Sequence, residues 1–466
     1  MKHGQKTPLR QRVFSAALNL LIGVLLLVLF LQCGIYIARS ARVRRARSGV
    51  PFDMRVLSAS TKDVARNLNP DLLLPETVAV QNAGETRAIF NSVAVMGDLC
   101  SDLSGTVLSA FSGEPVRQEE SVWHKALTQN GVYVRYLAEF PYQILHVFAA
   151  AAQGSTERLY RTEPYIGVRE MILLADSDGS LDRVFVRGAG GVYSFSAETE
   201  LMLADVQRYA EEYDSLFYRC TLQESTGAAE LTVDAPISAR SVVISDRILS
   251  LLSANADDWN VFLRLLDFNP DKLNTHTEPD GTRVYVESHG VLRTDSYGIT
   301  YQATESSGVS AAALSGTSGS FDVYAALRAS SYLIARLSEM NAMYTGGDAA
   351  LMLNSVSAAG EALTLTFGYR CDNIPLLGSD GEDYLTVTFT GGRLTELHFR
   401  MIVVSRSLVE TRVFLQTWSR QLLAPEDGAE MRLVYRTDSV SNTASAQWAA
   451  VVTTREEDKT AWAGTD

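Results

Sequence analysis

An α+β fold is predicted by three features of the sequence. Short runs alternate apolar and polar residues between Gly-bearing turns, longer segments place apolar residues at helical spacing, and strands and helices do not alternate regularly as in a dinucleotide-binding fold. The chain has 466 residues, 46% hydrophobic and 20% charged, enough for about two to four domains with ordinary cores.

The amino terminus differs from the rest. Residues 1–12 form a basic tail, and Val13–Ala38 then reads VFSAALNLLIGVLLLVLFLQCGIYIA without a charge. A helix of that length spans a hydrocarbon core of roughly 30 Å and satisfies its own backbone there. A cleaved signal peptide would have an apolar run of only about 7–15 residues and a small-residue cleavage site. Here Arg39, Arg42, Arg44, Arg45 and Arg47 follow instead, so an uncleaved transmembrane helix is expected at 13–38. Basic residues flank both ends, so charge alone does not set its orientation. Ser15, Asn19 and Gly23 recur every four residues, and Phe30, Gly34 and Ala38 continue near the same face. Small residues and an intramembrane Asn suit a helix-packing surface, which makes these six the candidate partner-binding residues.

Charge divides the chain. Residues 1–50 hold nine basic residues and no acid, which leaves 32 basic against 54 acidic residues beyond them, a net of −22. Nucleic-acid binding, which needs a basic face, is excluded by that balance. Cys33 lies in the apolar run. Cys100, Cys220 and Cys371 are too widely spaced for a metal site or a disulfide framework and are expected as buried thiols.

After a juxtamembrane segment at 39–75, which ends in LNPDLLLPE, a first unit is expected over 76–228. ESVWHKALTQN reads as helix, GVYVRYLAEF as a half-buried strand, and PYQILHVFAAAA as a helix opened by its Pro. REMILLADSDGSLDRVFVRGAGGVYSF has hairpin turns at 176–179 and 188–191. ETELMLADVQRYAEEYDSLF is helical in pattern. A central unit, 229–304, begins with the largely helical reading of VVISDRILSLLSANADDWNVFLRLLDFNP. GTRVYVESHGVLRTDSYGITYQA follows as a three-stranded meander. ESSGVSAAALSGTSGS at 305–320 is small and polar, as a linker would be.

A third unit, 321–452, opens with the helix FDVYAALRASSYLIARLSEMNAMY. It carries strands on either side of the Thr390-Gly391-Gly392-Arg393 turn, a helix in TRVFLQTWSRQLL and a last strand near MRLVYR. Residues 453–466 read as a tail. The combined expectation is one N-terminal transmembrane helix followed by two or three units of helix plus antiparallel β-sheet.

Catalytic patterns do not emerge. His3, His124, His146, His276, His289 and His398 never sit at ligand spacing, and there is no HExxH. SGTSGS at 315–320 lacks the strand–turn–helix setting of a nucleophile elbow. GAGGVY at 188–193 lacks the third glycine of a dinucleotide loop, and DSDG at 176–179 and SDGED at 379–383 lack the distal carboxylate of a calcium loop. No cofactor or metal is expected. A hydrolytic site assembled from distant carboxylates or a Ser/His pair, and an extracytoplasmic ligand-binding pocket, stay open as alternatives.

Several segments carry a family likeness. NGVYVRYLAEFPYQILHVF (130–148) and LLDFNPDKLNTHTEPDGTRVYVESHGVLRTDSYGITYQA (265–303) are two of them. Others are IPLLGSDGEDYLTVTFTGGRLTELHFRM and the closing MRLVYR…QWAAV. Together with the basic tail, single anchor and long remainder, they resemble the YycH/YycI family of accessory regulators in Gram-positive bacteria. The likeness covers most of residues 13–452. The family often has a Pro shortly before its final Trp, whereas Ala-Gln precedes Trp448 here. The resemblance implies a non-enzyme in the cell membrane, its amino terminus cytoplasmic and its bulk extracytoplasmic. Its implied partners are a two-component sensor histidine kinase governing cell-wall metabolism and a paralogous accessory protein, met through the membrane helix.

Overall fold

Prolines shape the first described residues. Asn69 caps a short 3-10 turn at Pro70–Leu72, its side chain accepting from the Asp71 N–H, and Pro75 then delivers the chain into a strand. The computed structural model describes residues 68–155, 166–225, 228–245, 256–295, 297–304, 307–316, 321–345, 349–377, 383–423, 429–437 and 442–452. The expected transmembrane helix, the calcium-loop-like 379–382 and the tail 453–466 lie outside them. Among the described residues no helix is long and apolar enough to cross a membrane.

Among the described residues nine strands build the first sheet. They are β1 (Thr77–Asn82), β2 (Glu85–Ile89), β3 (Val116–Gln118), β4 (Gly131–Pro141), β5 (Gly167–Leu174), β6 (Arg183–Gly188), β7 (Gly191–Ser196), β8 (Tyr218–Ser225) and β9 (Ala228–Val233). The order is β3-β7-β6-β5-β4-β1-β2-β8-β9, and every pairing is antiparallel. Its helices are α1 (Val93–Ser112), α2 (Glu120–Ala126), α3 (Tyr142–Ala152) and α4 (Leu203–Glu212). Ser92 caps α1 and Pro141 precedes α3, as helix-start chemistry requires. Phe111 of α1, Tyr142 of α3 and Phe195 of β7 pack ring against ring, so these helices cover the sheet face that carries Phe195.

β4 departs from its expected half-buried character. Val132, Tyr133, Val134 and Arg135 are all buried, because β4 lies inside the sheet between β1 and β5 and both of its faces are covered.

Among the described residues the second sheet has fourteen strands. It begins with β10 (Ser238–Ser245), and then, after α5 (Ala256–Leu265), runs through β11 (Asn274–Thr277), β12 (Arg283–Glu287), β13 (Gly290–Thr294) and β14 (Gly298–Ala303). β15 (Val309–Ser310), α6 (Ala311–Ser315) and α7 (Val323–Thr345) follow. The remaining strands are β16 (Ala349–Ala359), β17 (Ala362–Cys371), β18 (Ile374–Leu377), β19 (Leu385–Thr390), β20 (Arg393–Arg400), β21 (Val403–Arg412), β22 (Ala429–Thr437) and β23 (Thr443–Val452). α8 (Gln416–Leu423) sits between β21 and β22. The order is β11-β12-β13-β14-β20-β19-β17-β18-β22-β23-β10-β21, with β15 on β20 and β16 on β17.

The expected meander is present as β12–β14. So is the Gly391–Gly392 hairpin, where both residues take positive φ (55° and 77°) as a two-residue turn with native twist demands. Two expectations are corrected. VVIS, read as helix, is the end of β10: its β-branched residues pair with β21 and β23. The small-residue stretch 305–320 holds β15 and α6, and Ala311, Leu314 and Ser315 are buried, because small side chains let the chain pass close beneath Leu394 of β20.

The described residues cluster as one unit, and their buried apolar side chains form one continuous core from Leu68 to Trp448. Polar and aromatic contacts join the two sheets. Asn69 N–H donates to Ser331 Oγ at 3.1 Å, Asn91 Nδ2 to the Ser238 carbonyl at 2.9 Å, and Val233 N–H to Gln416 Oε1 at 3.0 Å. Phe90 meets Trp448 edge-on at 6.3 Å.

Candidate functional site

A dense gathering of charge lies where the two sheets meet. Thr77 of β1, Arg135 of β4, Glu170 of β5 and Arg187 of β6 are successive cross-strand partners, so their side chains share one face of the first sheet. Glu170 accepts a hydrogen bond from Tyr133 Oη at 2.6 Å and lies 3.7 Å from Arg187 Nη1. Arg187 also reaches Glu120 of α2 at 3.3 Å and covers the Trp123 ring at 5.8 Å. Arg135 pairs with Glu76 at 3.2 Å, both almost fully buried.

From the second sheet, β22 contributes Glu430 and Arg432, two residues apart and therefore on one face. Arg169 of β5 donates to Glu430 Oε2 at 2.7 Å, and Arg432 Nη2 donates to the same oxygen at 3.0 Å. Arg370 and Asn373, at the β17–β18 turn, complete the junction. Arg370 Nη1 donates to the Leu74 carbonyl at 3.1 Å and to Asn373 Oδ1 at 3.3 Å, while Asn373 Nδ2 donates to the carbonyls of Pro75 (3.0 Å) and Phe90 (3.3 Å).

Electrostatics follow from this packing. Burial alone would raise the Glu430 carboxyl, but Arg169, Arg432 and Arg135 outweigh it and hold it at about 2. Glu170 moves the other way: burial raises its carboxyl against the opposing pull of Tyr133 and the arginines. Burial lowers Arg370 to about 10, with Arg432 adding to the effect and Glu76 opposing it. The arrangement locks the two sheets together.

The sequence-level candidates fall elsewhere. The DSDG turn borders an open depression of about 350 Å3 lined by Asn82, Asn130, Asp176, Asp178, Leu203 and Gln207. Asp178 accepts from Ser180 N–H (2.9 Å) and Oγ (2.7 Å), which holds its carboxyl low, so its oxygens close the turn. Among the described residues no group of three His, Cys, Asp or Glu side chains could hold a metal ion. His146 is fully buried and lies 3.4 Å from Ser112 Oγ, but that hydroxyl donates to the Leu108 carbonyl one helical turn back, at 2.8 Å. The pair is helix packing. His289 contacts the Leu266 carbonyl at 3.0 Å and packs against Phe268, and His398 is exposed on β20. Among the described residues Cys100, Cys220 and Cys371 form no disulfide, with Cys220 and Cys371 buried and Cys100 half-buried. Ser15, Asn19, Gly23, Phe30, Gly34 and Ala38 lie outside the described residues.

The junction escaped the sequence reading because its members are scattered from Glu76 to Arg432. The one local signal was the presence of Arg135, Arg169–Glu170 and Arg187 inside otherwise apolar strands, where a charge needs a partner.

The crystal structure of YycH from Bacillus subtilis is similar to this chain with a TM-score of 0.54, covering 82% of this chain and 94% of that one at 12% sequence identity. The fold is YycH-like. No protein-family model matches the chain, and no curated protein matches it in sequence. At 12% identity the likeness to YycH is one of backbone architecture.

Proposed function

We propose that this chain is a membrane-anchored extracytoplasmic accessory protein that binds and modulates a two-component sensor histidine kinase controlling cell-wall metabolism. One observation carries the reading: the YycH-like fold extends over 82% of the chain. The uncharged Val13–Ala38 run supports the anchor, and the net −22 beyond residue 50 suits a body that acts by contact in solvent. Ser15, Asn19, Gly23, Phe30, Gly34 and Ala38 form the helix face that meets the kinase and a paralogous accessory protein.

Affinity capture of the tagged full chain from membranes tests the partner. Recovery of a sensor histidine kinase is expected, and repeated capture without one overturns the reading. In a membrane two-hybrid assay, Asn19→Leu combined with Gly23→Leu is expected to weaken kinase association, each lost polar contact being worth about 1–2 kcal/mol. Association unchanged by that double variant refutes the helix face while leaving the kinase reading standing. Protease added to intact cells is expected to digest the body of the chain, and full protection would refute the extracytoplasmic placement.

A further inference from the structure

Among the described residues β21 closes one end of the second sheet, with β10 on one side and no paired strand on the other. Its pairing with β10 is irregular opposite Ser241 but regular from Glu410 onward, where Glu410 meets Arg240, Thr411 meets Ala239 and Arg412 meets Ser238. Val413 N–H then donates to the Ile237 carbonyl at 2.8 Å, so Thr411 and Val413 turn their main chain toward β10. In an antiparallel ladder the alternate residues, Glu410 and Arg412, therefore aim N–H and C=O outward along the open edge. Such an edge is a template for another strand.

The side chains on this edge form a self-complementary series. Leu408 is 99% exposed and Phe414 72%, the two most exposed large apolar side chains among the described residues. Glu410 and Arg412 lie between them, both exposed and two apart, so they share one face. Arg412 has only the neutral Ser238 across its own ladder.

We propose that β21 pairs antiparallel with β21 of a second copy of this chain, about a two-fold axis at Thr411, joining the second sheets of two copies into one. That axis sets Glu410 opposite Arg412 of the second copy and Arg412 opposite its Glu410, each pair exchanging main-chain hydrogen bonds. It also brings Leu408 beside Phe414 of the second copy, and the reverse. The register is selective. An axis at Glu410 would set that carboxylate against itself, and an axis at Arg412 would do the same with its guanidinium; like charges directly opposite repel. An axis midway between two residues would match outward-facing main-chain groups with inward-facing ones. The contact is isologous, so this edge is used up at two copies. Both charged residues and both apolar ones are exposed in the single chain, so each copy keeps its own core.

Disulfide trapping in membranes that carry the full chain tests this, with Cys33→Ser to remove the thiol of the apolar run and Thr411→Cys to place one on the axis. Residues on the axis form a pair of the close, non-hydrogen-bonded kind, so oxidation is expected to give a covalent homodimer. Glu410→Arg added to that chain is expected to lower the yield about tenfold, because both charge pairs turn repulsive, and Arg412→Glu added in turn is expected to restore it. No crosslink, a crosslink only to a different protein, or a yield indifferent to Glu410→Arg would overturn the proposal. Should Thr411→Cys fail to fold, sedimentation of the otherwise unaltered full chain in detergent decides. A dimer whose dissociation constant rises about tenfold in Glu410→Arg and recovers in the charge-swapped double variant supports the pairing. A monomer at every concentration, or one constant shared by all three chains, refutes it.

Discussion

Arg169 and Glu430 stand 261 positions apart in sequence, yet Arg169 Nη2 donates to Glu430 Oε2 at 2.7 Å, binding β5 of the first sheet to β22 of the second. Glu430→Gln should destabilise the chain by about 1–3 kcal/mol, the low end reflecting its 26% exposure. A double-mutant cycle with Arg169→Met, read by urea unfolding, isolates the pair. Full additivity would show that the two side chains are not coupled.

The same residue sets an acid response. Its carboxyl titrates at about 2 in the fold against an ordinary 4.5, so between those values the unfolded chain binds more protons. That contribution to stability is present above about pH 4.5 and disappears as pH falls toward 2. Unfolding free energies measured across that window should fall less steeply in Glu430→Gln than in the unaltered chain.

Asn373 combines a positive φ of 68° with buried donors to Pro75 and Phe90. Asn373→Gly keeps the backbone conformation and should cost about 1–3 kcal/mol for the lost donors. Asn373→Ala adds left-handed strain and should cost roughly 1–2 kcal/mol more. Equal losses in chemical denaturation would show that the turn relaxes out of the left-handed region.

Trp448 of β23 is 6% exposed and meets Phe90 edge-on. Trp448→Ala should cost about 3–5 kcal/mol, by truncation of a large buried aromatic. Leu408, 99% exposed on β21, provides the contrast, and Leu408→Ser should stay within about 0.5 kcal/mol. Thermal melts of the two variants should separate clearly.

Gly298 begins β14, and a Cβ there would meet the Phe399 carbonyl oxygen. Gly298→Ala should cost about 1–3 kcal/mol, through strain between β14 and β20, and should lower Tm without removing secondary structure in circular dichroism.

Local pattern made much of the fold legible. The meander β12–β14, the Gly391–Gly392 turn and the Pro141–Tyr142 strand-to-helix switch each follow from residues within one or two turns of chain. What escaped depended on distant neighbours. β10 looked helical because its companions β21 and β23 are more than 150 positions away. α1 went unread, although Ser92 and apolar residues at 95, 96, 99, 103 and 107 mark it as a capped helix. The charged junction was hidden for the same reason as β10: arginines inside apolar strands signal that a partner is needed, but which carboxylate meets them is set only when the distant strand is placed against them.

β18 is four residues long and among the described residues meets β22 through two pairs, Leu376 with Tyr435 and Leu377 with Arg436, the one parallel pairing described in the second sheet. Everything from β11 to β17 hangs on one side of that seam and β22, β23, β10 and β21 on the other. Two panels stitched by so few rungs can part there while each keeps its own ladder intact. Amide exchange at 376 and 377 should therefore outpace that of the long β16–β17 hairpin, and mechanical load across the sheet would be released first along this line.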